Sequence, residues 1–313
     1  MIRRVATVTA GFMLVAAVAW AADPVGVLTE IQVRRGQVQV RSQGETDWSP
    51  PRPLQSLRPG DQVRVIGDGR AVIVLTGGRG SEIVTQNNSP FSVAVKSGES
   101  VTDRARSVLS GVTNFLLGQQ RPRQYQSLSV RSLGPTAPVI VSPRETKVLP
   151  DALTFEWLGS DRLKYSVRLL GPGGTVWQQT DLERQPLTYP AGAPALVPGA
   201  RYTWELDGKQ HGVQRARFDV IGVSDLARVR EDLAVLTPAA GYPPNTLTLM
   251  RAGLLFQDGL YADARRELLA GIAASPDEPT LHLLLAHVYD RTGLAQLAAQ
   301  EFEESETLAA PKP

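Results

Sequence analysis

Three histidines and no cysteine occur among the 313 residues, so thiol nucleophiles, iron–sulfur clusters and cysteine-bound zinc are excluded at once. His282 and His287 stand five apart in a stretch of helical periodicity, where their side chains diverge, and no His-Glu-x-x-His spacing accompanies them. Gly77-Gly78-Arg79-Gly80 lacks the lysine and the following serine or threonine of a phosphate loop and reads as a turn. No Gly-x-Ser-x-Gly elbow is present. The acidic pairs Glu303-Glu304 and Glu231-Asp232 fall on solvated helix faces, which gives no reason for two carboxylates to differ in pKa. The expectation is therefore a protein without catalytic residues, cofactor or metal. An enzyme that hides its carboxylates in ordinary sequence is the remaining catalytic alternative.

Recognition is better represented than catalysis, and it is concentrated near the carboxyl end. Two segments align at a period of 34 residues: Ala252 with Ala286, Leu255 with Tyr289, Gly259 with Gly293, Ala264 with Ala298, Leu268 with Phe302 and Gly271 with Ser305. The alanines let paired helices approach, Tyr261, Leu268, Tyr289 and Phe302 fill the gaps, and Gly259 and Gly293 permit the turn between helices. Pro276 ends the first unit, and Asp277 and Glu278 follow near the start of the next helix, where its dipole favours negative charge. This pattern over residues 245–310 resembles a pair of tetratricopeptide repeats. It departs from full regularity at Arg251, which stands where the second unit has Leu285, and at Ala310, which replaces Pro276. The resemblance implies a groove lined by the first helix of each repeat. By register that groove takes Thr246, Leu249, Gly253, Phe256 and Gln257, with Thr280, Leu283, His287, Asp290 and Arg291. Two repeats seldom bury enough surface alone. A helix over 224–236, capped by Ser224, is expected to close one end, and a partner or a second copy could close the other.

Two β regions precede these helices. Over residues 26–97, Gln37-Val38-Gln39-Val40, Gln62-Val63-Arg64-Val65 and Ser92-Val93-Ala94-Val95 alternate apolar and polar residues, which places one face on a core and the other in water. Turn chemistry at Pro59-Gly60-Asp61, Gly67-Asp68-Gly69 and Asn87-Asn88-Ser89-Pro90 spaces them as antiparallel hairpins. The run Leu57-Arg58-Pro59-Gly60-Asp61-Gln62-Val63-Arg64-Val65 followed by Gly69-Arg70-Ala71-Val72-Ile73-Val74-Leu75, with Gly36 to Val40 and Trp48 before it, resembles the FecR-type periplasmic domain. That resemblance implies a signalling or scaffolding domain of the envelope. Members that control a sigma factor need a cytoplasmic segment before their membrane span, and only Met1 to Arg4 precede the apolar stretch here, so a binding domain is what carries over.

Over residues 139–221 a second set of short strands appears, including Thr154 to Trp157, Tyr165 to Leu169, Val176-Trp177, Tyr202 to Leu206 and Phe218 to Val220. Their number and spacing predict an immunoglobulin-like sandwich, and Leu196 to Trp204 resembles the late turn and strand of fibronectin type III modules. Trp157, Trp177 and Trp204 either line a glycan- or peptidoglycan-binding cleft or fill the sandwich core.

The remaining segments connect and deliver these units. Residues 1–22 carry Arg3 and Arg4, an apolar stretch and Ala19-Trp20-Ala21, the anatomy of a cleaved bacterial signal peptide, with an uncleaved inner-membrane anchor as the alternative. No cysteine follows, so a lipid anchor is excluded. The chain has 33 Lys+Arg against 31 Asp+Glu; two of the arginines lie in this segment, so the rest balances at 31 each and offers nucleic acid no basic surface. Residues 100–118 are amphipathic, with Ser100 and Asp103 at capping-box spacing and Gly118 as a stop; lacking a basic face, they are expected to pack on the preceding sheet. Residues 119–138, with Arg121, Arg123 and Arg131, read as a linker or a docking strip for an acidic partner. The expected whole is a multidomain α+β protein, periplasmic or secreted, that binds a protein or peptide of the envelope, or alternatively a glycan. A homo-oligomer is left open.

Overall fold

One long antiparallel pairing organises the amino-terminal unit. Strand β1 (Gly26–Arg41) runs beside β3 (Gln62–Leu75) from Gly26↔Leu75 to Arg41↔Gln62. The short strands β2 (Ser56–Leu57), β4 (Ser81–Val84) and β5 (Phe91–Ser92) complete a five-stranded sheet in the order β2-β1-β3-β4, with β5 also on β3. The computed structural model describes residues 23–94, 102–119, 137–150, 153–183, 185–208 and 211–310. The expected export segment, Ser100, Val95 and the three linker arginines lie outside them.

Turn chemistry acts in this sheet as the sequence implies. Gly60 takes φ +89°, and buried Asp61 accepts from the backbone N–H of Arg58 (2.8 Å) and of Gln43 (2.9 Å), tying two loops to one carboxylate. Alternation, by contrast, describes only the distal half of β1. From Gly26 to Ile31 every residue is buried, because both faces of the strand are covered. Leu28 and Ile73 face the sheet's own core, whereas Val27 and Val74 join an apolar cluster built mainly from helices.

Helix α1 (Asp103–Gly118) follows. Thr102 caps it, its Oγ1 accepting from Ala105 N–H at 3.2 Å, so the helix starts two residues after the expected Ser100 cap and Asp103 is its first residue. It does not pack mainly on the sheet. It lies between the turn at Thr76–Gly78 and a carboxyl-terminal helix, with Val108, Leu109, Val112 and Leu116 buried.

Eight strands form the middle unit: β6 (Val139–Ser142), β7 (Thr146–Val148), β8 (Thr154–Leu158), β9 (Tyr165–Gly171), β10 (Gly174–Leu182), β11 (Leu187–Thr188), β12 (Arg201–Asp207) and β13 (Val213–Val220). They make one sheet in the order β10-β9-β12-β13-β7, with β7 parallel to β13, and a second in the order β11-β8-β6. The two sheets share a core of Phe155, Trp157, Tyr165, Leu169, Trp204 and Phe218. Trp204 donates its indole N–H to Pro143 O at 2.7 Å, so even its one polar atom is satisfied inside.

Five helices end the described chain: α2 (Val223–Leu233), α3 (Pro244–Gln257), α4 (Tyr261–Ala274), α5 (Pro279–Arg291) and α6 (Ala295–Ala309). Gly222 and not Ser224 occupies the cap of α2, and Ser224 is already helical. Helices α3 and α4 form one hairpin, α5 and α6 the next, and α4 packs on α5. Ala252, Ala264, Ala286 and Ala298 are fully buried at the crossings, and Gly259 and Gly293 take φ +77° and +76° at the turns. The irregular Arg251 has its own partners, Glu267 at 2.8 Å and Leu236 O at 3.2 Å. Gln300, Glu303, Glu304 and Thr307 are exposed on α6, a polar outer surface of the kind that lets a repeat stack end in water.

Candidate functional site: the face of the helical hairpins

The residues that register assigns to a groove do share one face of α3 and α5, but that face is covered. Thr246, Leu249 and Thr280 are fully buried and Leu283 is 4 % exposed. Phe256, His287 and Asp290 are half-buried, and only Gln257 and Arg291 are exposed. In the folded chain this face is an internal interface, and its occupants are two elements of the same chain.

The first occupant is β1. At its buried half, Thr29 Oγ1 meets Thr246 Oγ1 at 3.0 Å, and Glu30 Oε1 accepts from the N–H (2.8 Å) and hydroxyl (2.7 Å) of Thr246. Glu30 thus caps α3 from a distant part of the chain, satisfying donors that the helix start leaves open. Arg70 on β3 neutralises it at 2.7 Å. One turn of the stack further on, Thr280 Oγ1 lies 2.7 Å from Thr29 O, and the N–H of Ile31 is shared by the two carboxyl oxygens of Glu278 at 3.2 and 3.3 Å.

The second occupant is α1. A Cβ added to Gly253 would meet Val112, Phe115 and Leu116 side chains at 3.3–3.4 Å, so this glycine sits where α1 and α3 touch. Phe115 packs on Phe256 with ring centroids 5.0 Å apart. His287 donates from Nε2 to Gln119 O at 2.9 Å, so α5 holds the carboxyl end of α1. Asp290 and Arg291 lie beyond α1, where Arg291 donates to the Tyr261 hydroxyl at 3.1 Å.

The opposite side of the hairpins carries the middle unit largely through polar contacts, with Val141 and Ile221 buried in the helical cluster. Lys147 N–H donates to Gly259 O (2.8 Å), Arg144 to Thr292 O (2.8 Å) and Leu149 N–H to Asp263 (3.2 Å), while Arg265 pairs with Glu156 (2.9 Å). Glu156 and Asp263 line a cleft of about 270 Å³. Burial pushes the Asp263 carboxyl up against the pull of Arg266. Each carboxylate of the cleft is engaged by an arginine, the arrangement of structural ion pairs.

The tryptophans do not make a sugar platform. Trp157 and Trp204 are core residues, and half-buried Trp177 stacks on Phe155 (5.9 Å, 13°) with the Tyr189 ring edge-on at 5.4 Å. His282 bonds Glu301 through Nδ1 (2.7 Å) and Pro276 O through Nε2 (3.1 Å). Two accepting partners favour the imidazolium; burial opposes the charge, and Glu301 and Pro276 outweigh it and raise the pKa. Among the described residues no group of three or more histidines and carboxylates could hold a metal, and no helix is long and apolar enough to cross a membrane.

Sequence reasoning missed Glu30 altogether, and it placed Glu278 at the start of a helix without its contact to β1. A signal for Glu30 did exist. Glu30 interrupts the apolar run from Val25 to Val33, and in a strand buried on both faces an acid must find a partner. Comparison with protein-family models and with curated proteins returned no match.

Proposed function

We propose that this chain is a non-catalytic, exported bacterial envelope protein that works as a protein- or peptide-binding scaffold. In this reading a FecR-like unit, an immunoglobulin- or fibronectin-like sandwich and two tetratricopeptide-like hairpins are joined in one chain. The export segment favours the periplasm or secretion. The Tyr202 hydroxyl, which accepts from Val197 N–H at 2.9 Å just before its strand, supports the sandwich assignment, since such a corner recurs in that architecture. The arginine-paired carboxylates favour binding over catalysis.

One observation carries the reading: an amphipathic helix, α1, already lies against α3 and α5 in the manner of a helix in a recognition groove. A partner enters by presenting a helix of the same kind in place of α1. The chain holds α1 close by tethering, so a free competitor meets a high effective concentration of it.

The test separates groove from tether. A chain with Val112→Asp and Leu116→Asp, checked for native secondary structure, should bind a fluorescent peptide of residues 102–119 about tenfold or more tightly than the parent, because its groove is no longer filled. Fluorescence anisotropy reads the difference. A folded variant that ignores the peptide would remove the basis for a helix-binding groove.

A further inference from the structure

Two fully buried carboxyl groups, Glu30 and Glu278, lie in the seam between β1 and the first turns of α3 and α5. They are provided for differently. Glu30 has a cation, Arg70, and both donors of Thr246. Among the described residues no cation pairs with Glu278: it has the shared N–H of Ile31, the N–H of Thr280 at 3.4 Å and a contact with Thr280 Oγ1 at 2.9 Å.

The hydrogen count at Thr280 decides the charge state. Its hydroxyl carries one hydrogen and stands 2.7 Å from Thr29 O, which can only accept, and 2.9 Å from Glu278 Oε1. One hydrogen cannot serve both. If it goes to the shorter contact, the second needs a hydrogen supplied by Glu278. The chain of donors is then complete: the Glu278 carboxyl O–H donates to Thr280 Oγ1, and Thr280 O–H to Thr29 O. The other Glu278 oxygen accepts from Ile31 N–H. An ionised Glu278 would oppose a lone pair to a lone pair here, with the charge of Glu30 close by.

We propose that Glu278 is a proton-binding site that latches the amino-terminal sheet to the helical hairpins, and that releasing this proton loosens the seam.

The surroundings agree from each side. Burial pushes the Glu278 carboxyl up to about 8, and the negative charge of Glu30 adds to the shift. β1 contributes Glu30 as the facing charge, and β3 contributes Arg70, which is committed to Glu30. α3 and α5 offer the neutral Thr246 and Thr280. Asp277 and Arg34 lie on the wall of an adjoining cleft of about 300 Å³, and on the α6 side His282 and Glu301 pair with each other. In this reading Glu278 caps α5 as a neutral acid, full burial outweighing the dipole that favours its charge.

The sign follows from linkage. The folded chain holds a proton that the unfolded chain, with an ordinary carboxyl near 4.5, gives up first. This contribution to stability is complete below the unfolded value and is lost as pH rises through about 8. Amide exchange of Thr29 to Ile31 in the full chain, corrected for the intrinsic pH effect, should therefore lose protection by about tenfold or more between pH 6 and pH 9. Glu278→Gln, whose amide can donate to Thr280 and accept from Ile31, should remove that loss. Wild-type and variant profiles that fall in parallel would overturn the proposal. Should the variant not fold, the wild type still decides. A protonated-carboxyl infrared band at pH 6.5 that disappears by pH 9.5, while the protein stays folded, supports the latch, and its absence at pH 6.5 refutes it.

Discussion

The two β units are attached to the same helices by opposite means. The middle unit closes most of its own core, to which the hairpins add only partly buried Ala262; it meets them through backbone carbonyls, ion pairs and Asp263, and lends Val141 and Ile221 to the helical cluster. The amino-terminal sheet shares its core: Val27, Leu54 and Val74 belong to the apolar cluster of α1 and the hairpins, and the polar groups between them are fully buried. The first arrangement is a largely self-contained core that touches the helices at a mostly polar border, with Val141 and Ile221 as its apolar share. The second is one body made from distant stretches of chain, and buried polar groups in such a seam must all be matched to be tolerated.

Three substitutions would sharpen this contrast, in falling order of effect. Trp204→Ala empties the centre of the sandwich and leaves Pro143 O unpaired; it should lower stability by about 3–5 kcal/mol. If the sandwich is independent, hydrogen exchange will show its strands losing protection while Thr29 to Ile31 keep theirs. Loss of both together would mean that the units fold as one. Glu30→Ala is the converse. It strands Arg70 and uncaps α3, and about 3 kcal/mol should be lost from the seam with the sandwich strands unchanged. A seam that tolerates this change in urea titration would reduce Glu30 to an ordinary buried acid. Arg251→Leu, which copies the second repeat's Leu285, should move the urea midpoint of either unit by less than about 1 kcal/mol, since it trades a half-exposed ion pair for apolar contact. A large loss would show that Arg251 closes the stack beside Leu236 and is more than an irregularity of the repeat.

The same contrast explains what could be read from the sequence. The strands of the middle unit were legible because several bury one face and expose the other, while the sequence left its tryptophans open between a cleft and the core. The hairpins were legible because close packing leaves local marks: buried alanines at the 34-residue period and glycines with positive φ at the turns. At the candidate face, register chose residues that do lie together, from Thr246 to His287. Their occupant was illegible, since α1 and β1 meet them across more than a hundred residues, and such pairings leave no periodic trace. Period-two reasoning also fails for Gly26 to Ile31, where helices cover the face that alternation assigns to water. Cap assignments missed by two residues because threonine at 102 competes with serine at 100 for the same task.

The contact between Thr29 and Thr246 joins positions 217 apart, and that between Ile31 and Glu278 joins positions 247 apart. The whole sandwich hangs from the loop so closed. A chain emerging from its amino terminus therefore offers a half-covered strand carrying Glu30 long before α3 and α5 arrive to cover it. High contact order of this kind slows folding and prolongs the exposure of unpaired apolar edge. Truncation before α3 removes both Thr246 and Glu278 from that first strand, so the length of the tail controls the solubility of the head.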